Sequence, residues 1–202
     1  EDVLASHPQW IDFGNEILPG VLKSHRVFSH MFSGFWEDIG TVRSYFDVSM
    51  AMTRPHPPFK FYDPEHLIFT HARTLPGARI VDSHISHAIV CGGSKITEAK
   101  ITNAIIGTRS VVQAGATLDQ VVLTGAEFFE DRSKRGPKVP IGIGANTTIT
   151  RTIVDHNARV GKNVTIKGDS KLKDYEGEGF AIRDGIVVVL KNAVIPDGTV
   201  IG

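Results

Sequence analysis

From residue 80 onward, aliphatic side chains return every five or six positions. They fall at Ile80, Ile85, Val90, Ile96, Ile101, Ile106, Val112, Leu118 and Leu123, and resume after a break at Ile143, Ile149, Val154, Val160 and Ile166. A helix would repeat its apolar residues after three and four positions, and a half-buried strand after two. A period near six fits short strands joined by tight turns, with the aliphatic residue pointing inward and a small residue at the corner. The pairs Ile106-Gly107, Ile143-Gly144, Val160-Gly161 and Ile201-Gly202 repeat that arrangement. The pattern predicts three-sided coils stacked into a parallel β-helix. Two charged stretches interrupt it, Gly125 to Pro140 and Lys167 to Gly179, and both read as loops. The run Ile186 to Leu190, with Val194, would either continue the stack or make a lateral contact.

The first 79 residues follow a different rule. Val42, Phe46 and Met50 stand at i, i+4 and i+8, which predicts a helix over Val42 to Met52 with Thr41 as its N-cap and the apolar stripe facing a core. Asp12-Phe13-Gly14 followed by Glu16-Ile17-Leu18-Pro19 reads as a loop and a short helix, and Asp2 to Ser6 as the end of another element. Composition changes at the same place: 12 of the 16 aromatic residues precede residue 80, whereas Ile, Val and Thr number 13 before it and 42 after it. Such a shift marks a domain boundary. Arg54-Pro55-His56-Pro57-Pro58 reads as the linker, because proline resists both helix interiors and central strands.

Charge and cysteine narrow the chemistry. Lys plus Arg and Asp plus Glu are both 22 in 202 residues, so net charge gives no electrostatic footprint for a nucleic-acid binder. A single cysteine, Cys91, excludes an internal disulfide and a multi-cysteine metal site. No apolar run approaches the length of a membrane span, and no secretory signal pattern is present.

The most chemically pointed motif is Gly34-Phe35-Trp36-Glu37-Asp38-Ile39-Gly40-Thr41. It sets an acidic pair against a helix start, where a carboxylate, a phosphate or a metal ion can be placed. From the residues alone, a solvated acidic pair beside a packed Trp is the plainer explanation of the motif. The histidines of the repeat, His84, His87 and His156, leave open a coil-borne general base of the kind used toward acyl thioesters. A simple exposed position explains them as well.

Taken together, six segments resemble glucose-1-phosphate adenylyltransferases (ADP-glucose pyrophosphorylases) from about Ile11 to Gly202. They are residues 12–19, Gly34 to Thr41, Leu123 to Glu130, Val139 to Gly144, Asp155 to Gly161 and Gly185 to Gly198. The resemblance implies the C-terminal portion of a nucleotidyltransferase α/β domain (residues 1–58, with linker) followed by a left-handed β-helix for regulation and oligomerisation (residues 59–202). It implies an enzyme in which glucose 1-phosphate attacks the α-phosphorus of ATP, with Mg²⁺ as cofactor, giving ADP-glucose and pyrophosphate for glycogen or starch synthesis. Asp38 corresponds to the family's catalytic and metal-holding carboxylate, and Asp12, Phe13 and Trp36 to the sugar-phosphate side of its pocket. Arg73, His156 and Lys191 correspond to ligands of a phosphorylated or phosphate effector. His71 and His156 depart from the family pattern. A His in place of a Lys exchanges a fixed charge for a titratable one, so effector affinity is expected to be weaker than in plant-type relatives or to rise below pH 7.

The resemblance further implies a homo- or hetero-tetramer in the cytoplasm, or in a plastid for a plant-type source, with no nucleic-acid or membrane partner. Phe35 stands where the family often has Tyr. No glycine-rich basic loop suited to a triphosphate occurs in the sequence. The expectation is therefore a segment that lacks the nucleotide-binding loop and makes no ADP-glucose on its own. Competing expectations are a non-catalytic regulatory β-helix subunit, a β-helix acyltransferase, and a thymidylyl- or uridylyltransferase.

Overall fold

A computed structural model describes residues 1–131 and 137–202. It divides into two compact units, residues 1–35 and 36–202.

In the larger unit the predicted spacing becomes a ladder. Parallel pairing sets Ile80 beside Ile96, then Val112, Ile143, Val160 and Ile195. A second column runs Ile85, Ile101, Leu118, Ile149, Ile166 and Ile201. A third runs Val90, Ile106, Leu123, Val154 and Val189. Most members of these columns are wholly buried. Each fully buried aliphatic side chain contributes about 1.5–3 kcal/mol relative to exposure, so the columns form the continuous core that no single coil could make alone. The chain turns between columns through residues in the left-handed region, among them Asn146, Asn157, Asn163 and Asn192. Asparagine tolerates that region better than most residues.

The second predicted loop differs from expectation. Within Lys167 to Gly179, Tyr175–Gly177 is a strand that pairs antiparallel with Phe180–Arg183, which in turn pairs antiparallel with Ile186–Val189. The reversal at Asp184-Gly185, both at positive φ, is a two-residue turn of the kind that closes hairpins. Ile186–Val189 then rejoins the stack beside Thr152 to Val154, so that run continues the coils. Of the first interruption, residues 132–136 lie outside the described residues. Its two flanks are pinned by one arginine: Arg159 Nη1 donates to Glu130 Oε1 at 2.6 Å and to the Val139 carbonyl at 2.9 Å.

The helix Val42–Met52 forms as predicted, with a capping box in which Ser44 N–H donates to Thr41 Oγ1 at 3.0 Å and Thr41 N–H to Ser44 Oγ at 3.2 Å. Its partner could not be read from periodicity. Phe46 is buried against Val122, Ile153 and Ile186, with Val42, Tyr45, Met50, Ile105 and Val188 around them. The helix therefore lies on the outer face of the β-helix and covers a second, smaller core.

In the smaller unit, Asp2–Ser6 is one helical turn, and Phe13–Ile17 is a wide turn leading into Leu18–Val21.

Candidate functional site

The segment that carries Asp38 enters the helix Val42–Met52. Asp38 Oδ1 accepts the Gly40 N–H at 2.9 Å, a local bond that aims the carboxylate just before the capped first turn. A Cβ at residue 40 would stand 3.2 Å from that same oxygen, a tight contact that the exposed Asp38 side chain would relieve by a small shift. The other oxygen, Oδ2, has no hydrogen bond among the described residues, and Asp38 is exposed. Trp36 is 75% exposed and Phe35 partly so. An exposed indole ahead of an exposed carboxylate has the chemistry to meet a ligand ring and its charged group.

Among the described residues, no three His, Cys, Asp or Glu side chains converge as a metal cage. A lone exposed carboxylate oxygen, Asp38 Oδ2, is chemically compatible with Mg²⁺, which takes one or two carboxylates and completes its shell with water and substrate phosphates.

In the smaller unit, Asp12 caps the turn Phe13–Ile17: its Oδ1 accepts Asn15 N–H at 2.6 Å. Glu16 Oε2 reaches back to the N–H groups of Ile11 and Asp12, at 2.7 and 3.0 Å. This reciprocal capping leaves Phe13 standing out, 65% exposed.

The cationic candidates separate into a pair and an outlier. One corner of the β-helix is held by a ladder of backbone hydrogen bonds from Gly93 to Pro76, Arg109 to Gly92, Ala126 to Thr108, Asn157 to Gly125 and Asn192 to His156, each 2.7–3.2 Å. His156 and Lys191 occupy neighbouring coils of this corner. Arg73 precedes Pro76 at the other end of the ladder, where it is exposed and makes no hydrogen bond or ion pair with a described residue. Five coil steps of roughly 4.8 Å separate the two ends by about 24 Å. The structure thus brings Lys191 and His156 to neighbouring coils of one corner.

Around Lys191 is a polar cluster that local sequence does not announce. Lys191 Nζ meets Glu127 Oε1 at 2.5 Å, across 64 residues of chain. Asn157 Nδ2 donates to Glu127 Oε2 and to Asn192 Oδ1, each at 3.1 Å. His156 Nδ1 lies 3.0 Å from Thr124 Oγ1 and 3.2 Å from Asp155 Oδ1. The hydrogen bond from Lys191, then that from Asn157, holds the Glu127 carboxyl below the usual carboxylate range. The bond to Glu127 likewise holds Lys191 above its ordinary value. The sign follows from the depressed value: Glu127's contribution is present at neutral pH and is lost as pH falls through and below the usual carboxylate range. Across from the cluster, burial and then the charge of Asp155 push the Tyr45 hydroxyl up.

Glu127 is the member sequence reasoning left without a role. Its signal was the coil register: Leu123 pairs with Val154 and Val154 with Val189, so the turns after them stack.

Two family models match the chain. A GLGC left-handed parallel beta-helix domain covers residues 73–200, and a nucleotidyl transferase domain covers residues 2–55. The first supplies the hand of the coil; the second spans Asp12, Phe13, Trp36 and Asp38.

Proposed function

The chain belongs to the nucleotidyltransferase family marked by the GLGC left-handed β-helix, and on that premise we propose that it serves as a glucose-1-phosphate adenylyltransferase, joining ATP and glucose 1-phosphate into ADP-glucose and pyrophosphate. The observation that carries this reading is Asp38, an exposed carboxylate with one oxygen tied to Gly40 N–H and the other without a hydrogen bond to any described residue. In the proposed reaction, a phosphate oxygen of the sugar phosphate bonds to the α-phosphorus of ATP as the bond to pyrophosphate breaks. No covalent enzyme intermediate is needed, so the protein's work is positioning and charge neutralisation. Asp38 would hold Mg²⁺, which when bound supplies positive charge to the phosphates. Trp36 and Phe13 present rings, and Asp12 a capped carboxylate, for the sugar-phosphate side. The triphosphate needs a basic, glycine-rich cradle that the 202 residues do not contain, and the reading assigns that part to further protein. A cytoplasmic or plastid tetramer accords with the same reading.

The test is product identity. The intact enzyme that carries this segment is given glucose 1-phosphate, Mg²⁺ and ATP, UTP or dTTP in turn. ADP-glucose and pyrophosphate formed preferentially from ATP are expected. Preference for UTP or dTTP would reassign the base, and no product with any nucleotide would favour the non-catalytic regulatory subunit.

Regulation is proposed at the Lys191 and His156 corner, with an anionic phosphorylated metabolite or phosphate as effector. There Glu127 competes with the effector for the Lys191 ammonium. The pair is exposed and screened by water, so its hold on Lys191 is weak. Glu127→Gln should therefore tighten half-maximal activation by 3-phosphoglycerate by a few-fold at most, and Lys191→Gln should weaken it. Activation unchanged by Glu127→Gln would remove Glu127 from the effector site.

A further inference from the structure

Between the second and third aliphatic columns, the coils turn a different corner. His87, Asn103, Gln120 and Arg151 each take positive φ there, from 48° to 54°. Pairing stops on either side of them: Ser86 pairs with Thr102 and Ala88 with Ala104, and Asp119 pairs with Thr150 and Val121 with Thr152. These four polar side chains therefore stand in register along one outer edge, about 4.8 Å apart. Beside this edge lies the C-terminal part of the helix Val42–Met52. Asn103, Gln120 and Arg151, with Phe46, Met50 and Arg54, enclose a cleft of about 550 Å³.

Arg151 dominates the cleft. Its guanidinium sits 5.4 Å from the centre of the Phe46 ring. Its Nε is buried and has no hydrogen-bond partner, and none of its N–H groups meets a carboxylate among the described residues. A half-buried cation with unspent donors is costly unless something accepts from it. Among the described residues of the cleft wall the one acid is Asp47, and it is already bound to Arg43 at 3.2 Å. Nearby Asp119 accepts from Asn103 Nδ2 at 3.0 Å. Arg54 is exposed without a described partner, and an adjoining cavity that shares Thr53 and Arg54 adds Lys60. The local balance is thus cationic in a chain whose net charge is zero.

We propose that this cleft binds a small oxyanion ligand, of the phosphate-monoester class, through the Arg151 guanidinium with Arg54 at the rim. A planar guanidinium with open donors is matched to such oxygens, and the volume admits the rest of a small metabolite. The site is separate from the Lys191 corner. Arg151 turns the corner before Thr152 to Val154 and His156 the corner after them, so the two lie at different corners of one coil.

The experiment is a titration of the full protein with inorganic phosphate, following arginine Nε–H signals by nuclear magnetic resonance. The Arg151 signal is assigned by its loss in Arg151→Met, so that variant need only fold well enough to give a spectrum. If it does not fold, Arg151→Lys makes the assignment. A saturable shift of the Arg151 Nε–H is expected, persisting in Lys191→Gln and weakened about fivefold in apparent affinity by Arg54→Gln, a change at an exposed position. An Arg151 signal that stays still throughout the titration overturns the proposal. So does a shift that disappears in Lys191→Gln, which would trace the binding to the other corner.

Discussion

Asp38→Asn is expected to lower turnover of the intact enzyme by about 10²–10³-fold, the size of effect seen when one preorganised electrostatic contact to a developing charge is removed. The substitution is nearly isosteric. The side-chain oxygen can still accept Gly40 N–H, now at 2.9 Å, and the Thr41–Ser44 capping box is untouched. What disappears is the negative charge offered to Mg²⁺ by Oδ2. The loss should therefore appear in kcat, and in a higher Mg²⁺ requirement, while the thermal midpoint stays near that of the parent. Steady-state kinetics across a Mg²⁺ series, beside a melting curve, separates these effects. Turnover within threefold of the parent at saturating Mg²⁺ would show that Asp38 neither holds the metal nor faces the reacting phosphates.

Phe46→Ala should cost about 3–5 kcal/mol, the range for truncating a buried aromatic. Phe46 is 1% exposed and is the centre of the small core between the helix Val42–Met52 and the outer face of the coils. An isolated helix of 11 residues is marginal in water, so its persistence depends on that docking. Two readouts are expected to move together. Amide exchange through Val42–Met52 should accelerate sharply, while the backbone amides of the Ile101, Leu118 and Ile149 coils, held by the inner columns, stay protected. The Tyr45 hydroxyl, pushed up by burial, should return toward its ordinary value. Unchanged exchange across the helix would mean that Phe46 does not anchor it.

That helix shows where a one-dimensional reading stops. Val42, Phe46 and Met50 announced an apolar stripe, and Thr41 announced the cap, because both depend on neighbours within a turn or two. Spacing alone says that this stripe faces a core. Its burial is against Val122, Ile153 and Ile186, 76 to 140 residues downstream, and spacing holds no information about which of several apolar faces receives it. The turn at Asp184-Gly185 differs, for it was legible: an Asp-Gly pair between apolar runs is a hairpin signal by itself. The period of six does not include it, and the charged stretch before it reads as a loop, so Tyr175–Gly177 is a strand where a loop is expected.

At the candidate sites the same division holds. Asp12 and Asp38 were picked out by motif, and the structure adds the backbone bonds that orient them. Lys191 was picked out too, but as a cation awaiting an anion; the carboxylate it meets belongs to an insertion 64 residues earlier. Nothing in Thr-Arg-Thr marks Arg151 in the sequence. Its unpaired Nε is a property of the cleft around it, not of its neighbours in the chain.

The amino-acid order alone determined the coil, its period, its inward columns and the cap of its one long helix. Each of these follows from backbone geometry repeated over a few residues, and the same geometry acts in every coil. Tertiary structure alone decided which face the helix covers, which acid neutralises Lys191, and which cations remain unpaired. Those depend on stacking many coils in a fixed register, and an early interruption of any length moves distant residues into or out of reach.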